Sequence, residues 1–251
     1  MAEGIDIACA GSVQILRFAR PEKKNALTSV MYDALAGALE AANGDDDIAV
    51  NLLLGAPGIF TAGNDIGEFM RIAAKGHGLG ASILRFLRAL ATSEKPIVAG
   101  VDGAAIGIGT TLLMHCDHVV VSDRSVFLTP FVDLGLVPEA ASSLIAPRLM
   151  GHVRAFDLLV MGKEFSAEAA LQAGLVNRVV EPDQLEDAAK EAAATIAAKP
   201  RQAMMTARRL IRGDRSEILA RIAAEAECFA ERLASREAQA AFSAFLQKGK
   251  G

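Results

Sequence analysis

The stretch that decides the fold is VDGAAIGIGTTLLMHCDHVVV, which runs from Val101 to Val121. It reads as the end of a strand, a turn with closely spaced glycines, a short apolar helix and a second strand. Glycine has no Cβ, so the backbone can turn sharply there and approach a ligand closely. The helix directs unpaired N–H groups and the positive end of its dipole into this turn. The pattern predicts a site for an anion or for a carbonyl oxygen that gains negative charge. On spacing alone, a buried strand-to-helix turn without a ligand is the more ordinary interpretation.

Two common phosphate-binding motifs do not fit this turn. A P-loop has Gly-Lys before its Ser or Thr, whereas Gly109 is followed directly by Thr110 and Thr111. The dinucleotide-binding fingerprint needs a third glycine at the position of Leu112. The sequence therefore argues against both kinds of nucleotide loop.

The composition limits the class of protein. With 251 residues, of which 52% are hydrophobic and 22% charged, the chain can bury a sizeable core. A net charge of −4 and the lack of a basic block argue against a nucleic-acid partner. The three dispersed cysteines suit a reducing compartment without a disulfide framework. We see no signal-peptide pattern and no apolar run of membrane-spanning length, so we expect a cytoplasmic protein with no membrane partner.

Strand and helix patterns alternate as far as Val180, and the remainder reads as helix only. Residues 183–199, 201–212 and 216–247 are each predicted to form one helix. This order predicts an α/β core followed by a helical appendage. Apolar residues recur at helical spacing in the last segment, at Leu219, Ile222, Ala226, Phe229 and Leu233. Packing within the subunit is the first interpretation of this stripe, and a contact between subunits is the second.

Three motifs carry a resemblance to a known family. They are RPEKKNALT (Arg20–Thr28), FTAGNDI (Phe60–Ile66) and GAAIGIGTTLLMHCDHVVVSD (Gly103–Asp123), in this order and at this spacing. Together they resemble the crotonase superfamily of enoyl-CoA hydratases and isomerases over essentially the whole chain. The resemblance implies an α/β fold, with a crotonase-like spiral of ββα units over residues 1–195. It also implies a helical C-terminal oligomerisation region over residues 196–251, which would assemble a homotrimer or a dimer of trimers.

The resemblance further implies acyl-CoA thioester substrates and an oxyanion hole made of two backbone N–H groups, those of Asn64 and Ile108. Many family members carry Gly at the Ile108 position, but the donor is main-chain and Ile retains it. Two preorganised N–H donors would stabilise the enolate that forms when a proton leaves the carbon beside the thioester carbonyl. No metal and no separate cofactor are expected, because coenzyme A is part of the substrate.

By the same analogy, the first two motifs hold the coenzyme A portion of the substrate. Asp65 is also interpreted as the cap of the following helix, which is its more ordinary role. The residues expected to contact substrate or coenzyme A are Lys24, Ala26, Ala62, Gly63, Asp65, Ile66, Gly109 and Phe131.

The predicted catalytic base is Glu139. Family hydratases usually carry two glutamates, at positions that Thr111 and Phe131 occupy here. The run TPFVDLGLVPE, which ends at Glu139, looks like the Δ3,Δ2-enoyl-CoA isomerase branch, in which one glutamate moves the proton. Apolar surroundings would raise the pKa of this carboxyl towards neutrality. Taken alone, a Pro-Glu pair is also an ordinary first turn of a helix.

For the other candidate residues, a structural role is the alternative to a functional one. Asp133 is the second choice as proton carrier, although an exposed or ion-paired loop carboxylate is commoner. The cluster His115, Cys116 and His118 lacks metal-ligand spacing and is interpreted as structural. His77 is interpreted as an ordinary loop residue. Phe242 and Lys248 either reach a neighbour's coenzyme A or pack at the surface.

Three functions remain open at this point. The first is an enoyl-CoA isomerase, the second an enoyl-CoA hydratase or another crotonase-type lyase, and the third a non-catalytic acyl-CoA-binding relative. Retention of a glutamate at position 139 counts against the third, because a binding protein needs no base there.

Overall fold

The structure, a computed structural model, describes residues 3–73 and 78–248. Strands in this part of the chain form two sheets. The larger sheet has the order β1 (Ile5–Ala10), β2 (Val13–Phe18), β3 (Val50–Leu54), β5 (Ile97–Val101), β7 (His118–Ser122) and β10 (Arg178–Val180). The smaller sheet has the order β4 (Ile59–Thr61), β6 (Ala104–Ile106), β8 (Val126–Leu128) and β9 (Phe165–Ser166). Neighbouring strands are parallel except for the antiparallel pairs β1–β2 and β8–β9.

The helices are distributed along the whole chain. They are α1 (Ser29–Gly44), α2 (Ile66–Ala73), α3 (Ala81–Thr92), α4 (Ile108–Thr111), α5 (Ser142–Met150), α6 (His152–Leu159), α7 (Ala167–Gln172), α8 (Leu185–Ala197), α9 (Arg201–Arg212), α10 (Ser216–Leu233) and α11 (Arg236–Lys248). Short 3₁₀ turns cover Pro21–Lys23, Leu112–His115, Val132–Leu134 and Pro182–Gln184. None of these helices has the length and apolar character needed to cross a membrane.

The chain alternates between the two sheets. Strands β3, β5 and β7 lie in the larger sheet, and β4, β6 and β8, which follow them, lie in the smaller one. Helices follow each pair: α2 and α3 after β4, α4 after β6, and α5 and α6 after β8. Three successive ββα units thus wind into a spiral, as the resemblance implies. Because β4, β6 and β8 are adjacent and parallel, their carboxyl ends meet at one edge of the smaller sheet.

The central strands β3 and β5 of the larger sheet are buried on both faces. Adjacent residues of β3 point to opposite faces, so Leu53 joins the main hydrophobic core while Leu52 joins a second cluster with Leu185 and Ala189 of α8. Strand β3 is accordingly apolar almost throughout, as expected for a covered parallel strand. On the other face, Thr28 caps α1 by accepting a hydrogen bond from the N–H of Met31 at 3.4 Å.

Some predicted elements are wrong in detail. Residues 216–247 form two helices instead of one, because the hydroxyl of Ser235 accepts a hydrogen bond from the N–H of Ala238 at 3.2 Å and starts α11. Strand β6 lies inside the segment that was predicted to be a glycine turn, where it pairs with β4 and β8.

The apolar stripe of α10 packs inside the subunit. Ile222, Phe229 and Leu233 are buried in the main core, so the first interpretation of this stripe is correct. The predicted boundary between residues 195 and 196 falls in the last turn of α8 and stays a prediction.

Candidate active site

The polar loop of residues 20–28 lies along the segment of residues 59–65. The carbonyl oxygen of Lys24 accepts a hydrogen bond from the N–H of Ala62 at 2.9 Å. The side chain of Asn25, which is fully buried, donates to the carbonyl oxygens of residues 59 and 60 at 3.1 Å. Lys24 and Asn25 have φ values of 51° and 53°, so this loop turns through the left-handed region. The first two sequence motifs therefore form one surface.

The two predicted oxyanion donors follow neighbouring strand ends. Asn64 follows β4 and Ile108 follows β6, and these strands pair in parallel. Within residues 3–73 and 78–248, neither the N–H of Asn64 nor that of Ile108 donates a hydrogen bond. Both groups are therefore available to a ligand oxygen, as an oxyanion hole requires.

Glycines allow the two loops to touch. A Cβ at Gly63 would lie 2.9 Å from the carbonyl oxygen of Ile106, and Gly63 has a φ of 85°. A Cβ at Gly109 would lie 2.6 Å from a side-chain carbon of Thr61. Larger residues at either position would force the loops apart, so these glycines set the spacing between the two N–H donors.

The side chain of Asn64 has a partner that the sequence analysis missed. The hydroxyl of Tyr32 donates to Oδ1 of Asn64 at 2.6 Å, and Tyr32 is 1% exposed. Burial, and secondarily the negative charge of Glu139, raise the pKa of Tyr32 well above its usual range, so the hydroxyl keeps its proton. Tyr32 is the only tyrosine in the chain, which is the one signal that could have singled it out.

Asp65 joins the loop of residues 20–28 to α2. One carboxylate oxygen accepts from the N–H of Glu68 at 3.1 Å, which is the predicted capping contact, and the other pairs with Arg20 at 2.8 Å. Burial acts to raise the pKa of Asp65, but hydrogen bonds from Arg20 and from the α2 backbone outweigh it, so the pKa is lowered. Asp65 is thus a structural anchor on the predicted coenzyme A surface. Of its predicted companions there, Ala26 and Ile66 are half-buried and the Lys24 side chain is exposed.

Glu139 is buried beside α4. It is 3% exposed, and its Oε1 accepts a hydrogen bond from the hydroxyl of Thr111 at 2.5 Å. Its Oε2 has no hydrogen-bond partner among the described residues. Burial is the main cause that raises the pKa of Glu139 to about 8, with the charge of Glu225 adding to the rise and the bond from Thr111 opposing it. A carboxyl with this pKa exchanges its proton near neutral pH.

Thr111 and Tyr32 relate this carboxyl to the two predicted donors. Thr111, which bonds Glu139, lies one turn after Ile108 in α4. Tyr32, whose hydroxyl bonds Asn64, has its pKa raised by the negative charge of Glu139. Phe131, just beyond the end of β8, is 6% exposed. The residues at the two usual hydratase positions are therefore a hydroxyl that holds Glu139 and a buried apolar ring.

The weaker candidates are placed away from this chemistry. Asp133 is exposed on the 3₁₀ turn after β8. His115 is buried, Cys116 and His118 are half-buried, and no described group of three acidic, Cys or His side chains is arranged to hold a metal. Phe242 is 1% exposed and packs against Phe69, with ring centroids 6.1 Å apart, so neither expectation for it is correct. His77 and the side chain of Lys248 lie outside the described residues.

The chain is similar to several known proteins. It is 36% identical to enoyl-CoA delta isomerase 2 of Rattus norvegicus over 222 residues, which are 87% of this chain but only 56% of the rat protein. It is 32% identical to a probable enoyl-CoA hydratase of Rhizobium meliloti over 99% of this chain and 96% of that protein. Isomerases and hydratases thus resemble this chain to a similar degree.

The fold is shared with solved structures. The crystal structure of an enoyl-CoA hydratase/isomerase from Pseudoalteromonas atlantica matches with a TM-score of 0.91 and 40% identity, over 98% of both chains. The sequence model of the enoyl-CoA hydratase/isomerase family matches residues 9–251. The chain therefore belongs to the enoyl-CoA hydratase/isomerase family of the crotonase superfamily.

Proposed function

We propose that the protein is a Δ3,Δ2-enoyl-CoA isomerase in which Glu139 moves the proton. The observation that carries this proposal is the buried carboxyl of Glu139, with a pKa raised to about 8 and one oxygen that has no partner among the described residues. A shift of a double bond along the acyl chain needs one group that takes a proton and then returns it, so one carboxylate suffices.

The reaction follows from the donors and the base. The thioester oxygen of a 3-enoyl-CoA accepts hydrogen bonds from the N–H groups of Asn64 and Ile108. Glu139 removes a proton from C2, and the electron pair of that C–H bond spreads over the dienolate and its oxygen. Glu139 then delivers the proton to C4, which restores the carbonyl and leaves the double bond between C2 and C3. Each donor is expected to lower the barrier by ~3 kcal/mol.

Hydration is the competing reaction, and relatives described as hydratases support keeping it as an alternative. Addition of water needs a group that activates the water and a second that protonates carbon. The Thr111 hydroxyl is already donated to Glu139, and the Phe131 ring carries no proton-transfer group. Hydration would therefore have to use Glu139 alone or an exposed group such as Asp133.

The coenzyme A portion is proposed to lie on the joined surface of the loop 20–28 and the segment 59–65. Lys24 offers an exposed cation for the phosphates, and Ala26, Ala62 and Ile66 offer small or apolar contacts. Asp65 holds this surface in shape through Arg20. Gly63 and Gly109 let the thioester approach the two N–H donors, and Phe131 lines the acyl side.

We also propose a cytoplasmic homotrimer or dimer of trimers, with residues 196–251 as the oligomerisation region. Support comes from α9, where Leu210 and Ile211 are 78% and 86% exposed. Apolar side chains exposed to this extent are typical of an interface. Leu210→Asp together with Ile211→Asp should lower the mass measured by light scattering while the far-ultraviolet circular dichroism stays unchanged; an unaltered mass would exclude α9 from the interface.

A side-by-side assay tests the activity. Purified protein is given 3-enoyl-CoA and, separately, 2-enoyl-CoA of matched chain lengths, and products are separated by chromatography. Isomerisation much faster than hydration is expected. Faster hydration would favour the hydratase, and binding of acyl-CoA without turnover of either substrate would favour a non-catalytic relative.

A further inference from the structure

The backbone that follows Glu139 has an unusual conformation. Ala140 and Ala141 have φ values of 62° and 56°, and both are fully buried. Alanine rarely adopts this left-handed conformation, because its Cβ then crowds the backbone. Such strain persists only where surrounding contacts fix it. The contacts that hold this segment therefore also determine where the Glu139 side chain points.

Two buried titratable groups hold the segment from opposite sides. The Nε2–H of His115 donates to the carbonyl oxygen of Ala140 at 2.7 Å. On the other side, Oε2 of Glu225 accepts from the N–H of Ala141 at 2.6 Å. Burial is the main cause that lowers the pKa of His115 to about 4, so its ring is neutral at physiological pH and a carbonyl partner requires the proton on Nε2.

Both side-chain oxygens of Glu225 accept hydrogen bonds, which suits a carboxylate. It is 6% exposed, and besides the N–H of Ala141 it accepts from the N–H of Ser143 at 3.0 Å and from the Ser143 hydroxyl at 2.5 Å. Arg221 donates to the same hydroxyl at 3.1 Å. On balance the pKa of Glu225 is raised, because burial outweighs the donors of Ser143 and Ala141 and the charge of Arg221. A glutamine would turn its NH₂ group towards one of these donors and lose a bond.

We propose that Glu225 is a positioning residue for Glu139: it reaches from α10 to hold the left-handed Ala140-Ala141 segment and thereby aims the base at the substrate. The inference rests on the proposed role of Glu139. It gives the C-terminal helices a part in catalysis in addition to the proposed oligomerisation. His115 shares the task from the side of α4.

The same contact has an electrostatic consequence. The titratable groups that bear on Glu139 are Glu225 from α10 and Tyr32 from α1, with His115, which is neutral, one residue away. The negative charge of Glu225 raises the pKa of Glu139. Since Glu139 must be ionised to take a proton, the rate rises with pH through its pKa. Removing the charge of Glu225 should move this rise to lower pH.

The experiment compares Glu225→Gln with Glu217→Gln. Both changes remove one negative charge from α10, and Glu217 pairs with Arg148 at the other end of α5, at 2.6 and 2.8 Å, away from Glu139. For Glu225→Gln we expect kcat with 3-enoyl-CoA to fall about tenfold or more, KM to stay nearly constant, and the rising limb of kcat against pH to move to lower pH. Glu217→Gln should match the wild type in all three.

Two outcomes would overturn the proposal: a folded Glu225→Gln with wild-type kcat and pH profile, or a loss of kcat that is matched by lost acyl-CoA binding with an unmoved limb. If Glu225→Gln does not fold, Ser143→Ala removes only the hydroxyl donor. It should lower kcat a few-fold with KM nearly constant, while the limb stays near its wild-type position because the charge of Glu225 remains. A wild-type kcat in this variant would overturn the proposal. Glu139→Gln is assayed in parallel. If that variant is active, the proposed base is wrong; if it is inactive while Glu225→Gln is normal, only the positioning role is wrong.

Discussion

Replacing Glu139 with Gln keeps the shape of the side chain and its bond from Thr111 but removes the exchangeable proton. General acid–base catalysis contributes about 10²–10⁴-fold to a rate. We therefore expect Glu139→Gln to lose ~10²-fold or more of the isomerase rate, about 2.7 kcal/mol of barrier at 1.36 kcal/mol per tenfold. Acyl-CoA binding should persist, because the donors and the coenzyme A surface are untouched.

The same substitution should stabilise the fold at alkaline pH. The Glu139 pKa is raised from 4.5 to about 8, so between these values the folded state binds more protons than the unfolded state, and stability falls as pH rises. Above pH 8 ionisation of the buried Glu139 lowers the free energy of unfolding of the wild type by roughly 5 kcal/mol. Glu139→Gln avoids this cost, but its buried amide nitrogen without a partner costs about 1–3 kcal/mol. Glu139→Gln should thus be more stable than the wild type by roughly 2–4 kcal/mol at pH 9 and less stable by about 1–3 kcal/mol near pH 4.

Urea unfolding of both proteins from pH 4 to pH 9, together with the isomerase assay, measures both effects. The companion variant is Asp133→Asn, which removes the competing exposed carboxylate and should leave the rate near that of the wild type. Near-normal isomerisation by Glu139→Gln, with collapse in Asp133→Asn, would refute the reasoning and move the base to Asp133. A stability difference that is constant across the pH range would contradict the raised pKa of Glu139.

Further predictions concern the donors and the loop anchor. Asn64→Ala should leave kcat within about tenfold, because its N–H remains, yet lower the free energy of unfolding by about 1–3 kcal/mol in denaturant titrations, because the buried Tyr32 hydroxyl loses its partner; a loss as large as that of Glu139→Gln would make the side chain the active part. Ile108→Pro should cost at least ~3 kcal/mol of barrier in kcat/KM, because it deletes one donor at the first residue of α4, where proline keeps a helical φ; an unchanged kcat/KM would exclude this N–H. Asp65→Asn should be less stable than the wild type at neutral pH and approach it as pH falls below about 4, since the Arg20 contact holds the Asp65 pKa low and that advantage is lost on protonation; melting curves that differ equally at pH 3 and pH 7 would exclude this ion pair as the cause.

Much of the fold was predictable because the relevant signals are local. The strands predicted on either side of the glycine turn are β5 and β7, and the short helix predicted after the turn is α4. The motif around Asn64 and the glycine turn before Ile108 indicated two loops with available N–H groups. The cap at Ser235 was also a local signal, but the continuous apolar periodicity on either side concealed it.

The contacts that shape the candidate site could not be predicted in the same way. Thr111 bonds Glu139 across 28 residues, Tyr32 bonds Asn64 across 32, and Glu225 bonds Ala141 across 84. Tyr32 and Glu225 lie in helices with no motif around them. Thr111 lies within the third motif, but nothing near it in the sequence indicates its partner Glu139. Only the winding of the ββα units and the return of α10 bring these partners together.

The candidate site concentrates features that a stable fold otherwise avoids. Glu139 has a buried oxygen without a described partner, Ala140 and Ala141 are held in the left-handed region, and the N–H groups of Asn64 and Ile108 are unpaired within the described chain. Each costs stability, and buried polar groups are usually satisfied. Contacts from α1, α4 and α10 hold these groups in place. Without these contacts from the surrounding fold, the local segments would adopt conformations of lower energy. These three features occur together at one sheet edge, which fits the proposed mechanism. There Glu139 takes a proton from the substrate, and the two unpaired N–H groups bind the thioester oxygen.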